Sequence, residues 1–269
     1  MRLVKLPLDM AAEGVGQLTG RLGRVLPWWS TDAEEMPPAD EGLPVLLVHG
    51  LADGVSVVSP LQRELLGCGV GPLIPVAYNA FTPDIRTAAG VLGEQVEQAC
   101  TGGPAPRPAV LIGYSLGGLI ARYYVQRLGG DAYVPLVITL ATPHGGTATA
   151  LLAPPHPLLR QLRPGSELLT ELAEPAPGCR TRFVAFYSDL DEAVIPAARA
   201  RIEHPDLKAC NVLVPGVGHL TLPLHHPVID QVRALLTATQ QAASAVSRPQ
   251  GSALPREAAV RRSAAGGSS

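Results

Sequence analysis

One serine stands between glycines two residues away on either side, in Leu111-Ile112-Gly113-Tyr114-Ser115-Leu116-Gly117-Gly118. An apolar run precedes it and an amphipathic helical run follows. A strand that turns sharply into a helix would leave the Ser115 hydroxyl exposed at the strand tip, at the N-terminus of the helix. The flanking glycines relieve the crowding such a turn creates. The chemistry this suits is nucleophilic attack, which an unaided hydroxyl performs poorly.

A serine nucleophile needs a base near neutral pKa and a group that holds that base in one tautomer. Val212-Leu213-Val214-Pro215-Gly216-Val217-Gly218-His219-Leu220 reads as a short strand ending in a glycine-lined loop that presents His219. His144, His156 and His204 fall in other loops, and His225 and His226 open the final helix, where surface roles are expected. An acidic loop follows the strand pattern Arg182 to Tyr187, in Ser188-Asp189-Leu190-Asp191-Glu192-Ala193-Val194-Ile195-Pro196. Asp189 and Asp191 both compete to accept the imidazole N–H, and Asp189 could instead bind the loop backbone as an Asx-turn. A further buried strand, Pro44 to Val48, ends in His49-Gly50-Leu51. His49 reads as a structural residue that orients this loop.

Taken together, these segments resemble a compact α/β-hydrolase of the lipase/esterase type, similar to small bacterial triacylglycerol lipases. The resemblance rests on Val48-His49-Gly50-Leu51, Gly113 to Gly118, Thr142-Pro143-His144-Gly145-Gly146-Thr147, Asp191-Glu192-x-Val194-x-Pro196 and Gly218-His219, all between about residues 43 and 236. It implies a Ser115–Asp191–His219 triad, in the chain order of that superfamily. Asp191 leads over Asp189 because its loop is similar to the acid loop of lipases. The backbone N–H groups of Leu51 and Leu116 become the expected oxyanion donors. The implied reaction is carboxylic-ester hydrolysis on a small ester or lipid, through an acyl-enzyme, with no cofactor and no metal required. A thioesterase or acyltransferase would use the same triad. A non-catalytic protein of this fold that binds a lipid or partner is the alternative from another class.

The elements that must position these residues follow from hydrophobic patterning. Strand candidates are 44–48, 73–78, 109–114, 134–140, 182–187 and 211–214. Helix candidates are 58–67, 84–100, 116–128 and 227–238. Alternation of this kind predicts a mostly parallel sheet of about six strands covered by helices on both faces, with the site at the carboxyl ends of the strands. Residues 147–180 break the rhythm with leucines at 151, 152, 158, 159, 162, 168, 169 and 172. They are expected to form a short apolar cap over the acyl pocket, the alternative being an excursion packed on the core.

The domain organisation expected is an N-terminal helical extension and linker over 1–42, the hydrolase domain over 43–238, and a disordered tail over 239–269. The extension carries Val15, Leu18, Leu22, Val25 and Leu26 at helical spacing, followed by Trp28-Trp29. That pattern suits either packing on the domain or contact with a membrane surface. The tail is built from Ala, Ser, Gly, Pro and Arg. With 269 residues, a net charge of −2 and 46% hydrophobic residues, the chain is long enough for one sizeable core. Its charge gives no signal for nucleic acid. The N-terminus lacks an uninterrupted apolar segment, which favours a cytoplasmic or peripheral-membrane location and leaves secretion by another route open. The four cysteines, at 68, 100, 179 and 210, form no C-x-x-C pair. Pairs 68–100 and 179–210 are conceivable disulfides, and four buried thiols are the alternative. The patterning does not define an oligomeric state.

Overall fold

Six short strands lie side by side in the computed structural model, which describes residues 42–51, 54–66, 71–78, 84–103, 105–153 and 156–247. They are β1 (Val45–Val48), β2 (Leu73–Pro75), β3 (Val110–Tyr114), β4 (Leu136–Leu140), β5 (Arg182–Tyr187) and β6 (Lys208–Leu213). The sheet order is β2-β1-β3-β4-β5-β6, and every pairing is parallel. Between them run α1 (Gly54–Leu65), α2 (Ile85–Thr101), α3 (Leu116–Arg127), and the short α4 (Thr149–Leu152), α5 (Pro157–Gln161) and α6 (Glu167–Ala173). The chain then closes with α7 (His226–Ser247).

Alternate side chains of each central strand enter opposite core layers, as the period of two in a strand requires. Leu46, Val48, Leu111, Val137, Phe183 and Ala185 join the layer containing α2 and α3 residues such as Leu92 and Leu119. Val45, Leu47, Ile112, Ile138, Val184 and Phe186 join the layer with Leu61 of α1 and Val228 and Val232 of α7. Both faces are therefore dry, which is why these strands read as continuous apolar runs. The chain reverses direction across the sheet between β1 and β3. Ligand crevices in open α/β sheets form outside the strand ends at such a switch point.

Three expectations change. Residues 239–247 are helical, continuing α7 to Ser247, where a tail was expected. Alanine and glutamine are strong helix formers. Gln240 Oε1 also accepts the Leu43 N–H at 2.5 Å, tying the helix to the entry of β1. Second, the proposed cap segment splits. Leu158, Leu162, Leu168 and Leu172 are buried in the first core layer, and Leu159 and Leu169 pack against it. Leu151 and Leu152 of α4 are exposed. Helix α6 is held by polar contacts: Arg86 pairs with Glu171 at 2.8 Å, Tyr123 Oη donates to Glu171 Oε1 at 2.6 Å, and Arg122 Nη2 and Gln126 Nε2 donate to Leu172 O. Third, Cys100, Cys179 and Cys210 are free, so neither conceived disulfide forms. The thiols are also unevenly covered, Cys100 being buried and Cys210 exposed on the edge strand.

The N-terminal extension, Cys68 and residues 248–269 lie outside the described residues. Among those described, no helix is long and apolar enough to cross a membrane. Gln240→Ala is expected to lower unfolding stability by about 1 kcal/mol, the usual value of a lost hydrogen bond, measured by urea titration. No loss would mean that the helix extension is not anchored to β1.

Candidate active site

The turn after β3 is built by what its glycines leave out. A Cβ on Gly117 would stand 2.1 Å from the Val48 carbonyl oxygen, and one on Gly118 would stand 2.0 Å from Thr142 Oγ1. A Cβ on Gly113 would meet the Gly118 Cα at 2.5 Å. Helix α3 therefore starts hard against the ends of β1 and β4. Ser115, at the turn itself, has φ 51° and ψ −122°, a conformation that L residues rarely adopt. Its N–H donates to Leu140 O at 2.8 Å, and its carbonyl accepts the Gly118 N–H at 3.1 Å. The side chain is left uncommitted to capping the helix it precedes.

His219 reaches this hydroxyl from the loop after β6, with Nε2 3.1 Å from Ser115 Oγ. Nδ1 lies 2.9 and 3.0 Å from the two oxygens of Asp191. A carboxylate can only accept, so Nδ1 carries the hydrogen and Nε2 is the free acceptor facing Ser115. The Asp191 side chain is 1% exposed. Its Oδ1 also accepts the N–H groups of Ala193 (2.9 Å) and Val194 (2.8 Å), which supply the partners a buried carboxylate requires. The Tyr114 ring stands 5.3 Å from the imidazole.

The structure separates the two competing acids. Asp189 Oδ1 accepts the Gly216 N–H at 2.7 Å, holding the histidine loop, while Asp191 meets the imidazole. Four of the other histidines are engaged elsewhere. His49 stacks on Tyr78 at 4.0 Å and bonds the Gly50 carbonyl, and burial holds its pKa below the ordinary value. Tyr78 Oη donates to His49 O at 2.7 Å. His144 is buried against Thr139 Oγ1 at 3.0 Å, and its pKa is pushed well down by burial and by Arg122. His204 bonds the Glu174 carbonyl, His156 accepts from Leu158 N, and His226 is exposed.

The two segments expected to supply oxyanion donors both adjoin Ser115. A Cβ on Gly50 would come 3.0 Å from Ser115 Cβ, so the loop ending in Gly50-Leu51 lies against Ser115. Leu116 opens α3, where first-turn N–H groups have no intrahelical acceptor. Among the described residues no cluster of His, Cys, Asp and Glu could hold a metal.

Two features escaped sequence reasoning. Thr147 Oγ1 donates to Ala193 O at 2.8 Å and accepts the Ile195 N–H at 3.0 Å. Arg199 Nη1 donates to Gly145 O and Gly145 N to Arg199 O, each at 2.7 Å. The Thr-Pro-His-Gly-Gly-Thr segment is thus a clamp on the acid loop. The second feature is Glu192, whose Oε2 accepts the His219 N–H at 3.0 Å. Both were visible as motif letters, but their partners lie at least 27 residues away.

A six-stranded parallel sheet with a serine–histidine–aspartate cluster at its carboxyl edge defines an α/β-hydrolase. Solved structures agree on the fold. The mature lipase BlEst2 of Bacillus licheniformis is similar with a TM-score of 0.55 at 17% identity, over 76% of this chain and 96% of that one. MGS-MChE2, an alpha/beta hydrolase from a lagoon-sediment metagenome, gives 0.52 at 18% identity over 76% and 93%. Lipase B of Aspergillus fumigatus gives 0.56 at 17% identity, over 66% of this chain, which spans about half (47%) of that lipase. Within the superfamily, residues 44–185 match the palmitoyl protein thioesterase family, and the chain belongs to it. That match contains Ser115 and stops short of Asp191 and His219. Among curated proteins, none matches this sequence.

Gly117→Ala is expected to cost more than about 2 kcal/mol, because the new methyl meets fixed backbone. A urea midpoint equal to that of the wild type would show that α3 can move away from β1.

Proposed function

We propose that this protein is a serine hydrolase of acyl esters. The observation that carries the reading is the chain of contacts from Ser115 Oγ to His219 Nε2, and from Nδ1 to Asp191. His219 takes the hydroxyl proton as Oγ attacks the ester carbonyl carbon. Asp191 keeps the imidazole in the right tautomer and stabilises the imidazolium. The Leu51 and Leu116 amides face the oxygen that gains negative charge, each worth about 3 kcal/mol in sites of this kind. His219 then protonates the leaving alcohol. Water, deprotonated by the same imidazole, releases the acid from Ser115. This chemistry needs no cofactor.

The apolar surface supports a lipid-like acyl group. Among the described residues nine large apolar side chains are exposed. Five of them, Leu151, Leu152, Leu190, Ile195 and Leu220, sit on α4 or within four residues of Asp191 or His219. Ala148 N, which leads into α4, donates to Ile195 O, so α4 and the acid loop border the same edge. A second reading, hydrolysis of acyl thioesters, draws on the family to which residues 44–185 belong. Both share the acyl-enzyme and differ in the leaving group.

Hydrolysis of p-nitrophenyl esters from acetate to palmitate, beside palmitoyl thioesters, tests the reading with Ser115→Ala as control. Rates that rise with chain length and vanish in the variant are expected, and equal rates in both proteins would refute the assignment. Asp191→Asn is expected to lower kcat by about 10³–10⁴-fold, whereas Asp189→Asn leaves the chemical step nearly untouched. The reverse ranking would mean that the acid is misassigned.

A further inference from the structure

The backbone of the histidine loop is received by side chains of the acid loop. Gly216 N–H donates to Asp189 Oδ1 at 2.7 Å, Val217 N–H to Ser188 Oγ at 3.2 Å, and His219 N–H to Glu192 Oε2 at 3.0 Å. The third contact differs in kind, because it holds the main chain of the histidine itself. Position 218 is shaped to permit it. A Cβ there would stand 3.1 Å from Glu192 Oε2, so glycine lets the carboxylate lie against the loop.

Adjacent residues of one loop therefore grip one histidine at two points, Asp191 at Nδ1 and Glu192 at the backbone nitrogen. A ring tethered at a single point can still pivot about the carboxylate. With its backbone also fixed, Nε2 has one place to be, 3.1 Å from Ser115 Oγ. We infer that Glu192 is a positioning residue for His219, acting through the main-chain hydrogen bond. The inference rests on the serine-hydrolase reading above. Glu192 itself is exposed, so its hydrogen bond adds little to folding stability and its removal leaves the core intact. The sequence Asp191-Glu192 thus divides two tasks: the first acid holds the proton-bearing edge of the imidazole, and the second holds the peptide from which it hangs.

The test is kcat and KM on the best-hydrolysed p-nitrophenyl ester for wild type, Glu192→Ala, Glu192→Gln and Ser115→Ala, with thermal melting of each. Glu192→Ala is expected to lower kcat about tenfold with KM little changed, less than the ~100-fold attached to a misplacement of roughly 1 Å. Glu192→Gln keeps an acceptor oxygen and is expected to recover to within about threefold of wild type, the weaker neutral acceptor accounting for the difference. A wild-type kcat in Glu192→Ala would overturn the inference. So would a glutamine variant as slow as the alanine one, or an effect confined to KM. If wild type and Ser115→Ala turn over equally, the serine-hydrolase reading fails and takes this inference with it. If Ser115→Ala is dead and Glu192→Ala is not slowed, the inference fails alone.

Discussion

Helix α3 starts within backbone contact of β1, and the rest of the site depends on that approach. Gly117 and Gly118 have no side chain to hold α3 away from the Val48 carbonyl and from Thr142. The approach forces the turn before α3 into the left-handed φ found at Ser115, a strain that persists because the sheet on one side and the helix on the other leave it no alternative. Three consequences follow from the same contact. The serine side chain projects from the strand tip, the N-terminus of α3 opens beside it at Leu116, and the loop after β1 is brought against the serine at Gly50.

The remaining groups arrive on loops that the sheet has already ordered. Strands β5 and β6 are neighbours, so the acid loop and the histidine loop leave the same edge side by side. Their mutual hydrogen bonds, in which Ser188, Asp189, Asp191 and Glu192 accept from Gly216, Val217 and His219, join them into one unit. Thr147 and Arg199 bind that unit to the loop after β4, the strand that also receives the Ser115 N–H. A loop-built site gains rigidity when each loop is cross-braced in this way, and precise placement is worth several kcal/mol of barrier.

Much of this was legible in the sequence because the signals are local. Apolar runs with both faces buried mark the four central strands β1, β3, β4 and β5, and glycine spacing marks the turn at Ser115. The order serine, acid, histidine along the chain follows from the order of the strands. What was not legible is long-range pairing. Asp189 and Asp191 have the same side chain two residues apart, and their division of labour depends on which carboxylate reaches across to position 219 and which to position 216. The leucines of 147–180 looked alike, yet α6 is held by Arg86, Tyr123 and Gln126 from helices far earlier in the chain while Leu151 and Leu152 stay exposed. The end of α7 was missed because alanine-rich sequence suits both a helix and a tail. The contact of Gln240 with Leu43, 197 residues away, favours the helix.

The central claim is that Ser115 is a nucleophile because His219 activates it. A fluorophosphonate reacts covalently only with a serine whose hydroxyl is so activated. Treating the folded protein with such a reagent, then mapping the adduct by peptide mass spectrometry, tests that claim directly in wild type and in His219→Ala. The account predicts one adduct, on Ser115, in the wild type and none in the variant. An adduct on another residue, or equal labelling of Ser115 without His219, would contradict it.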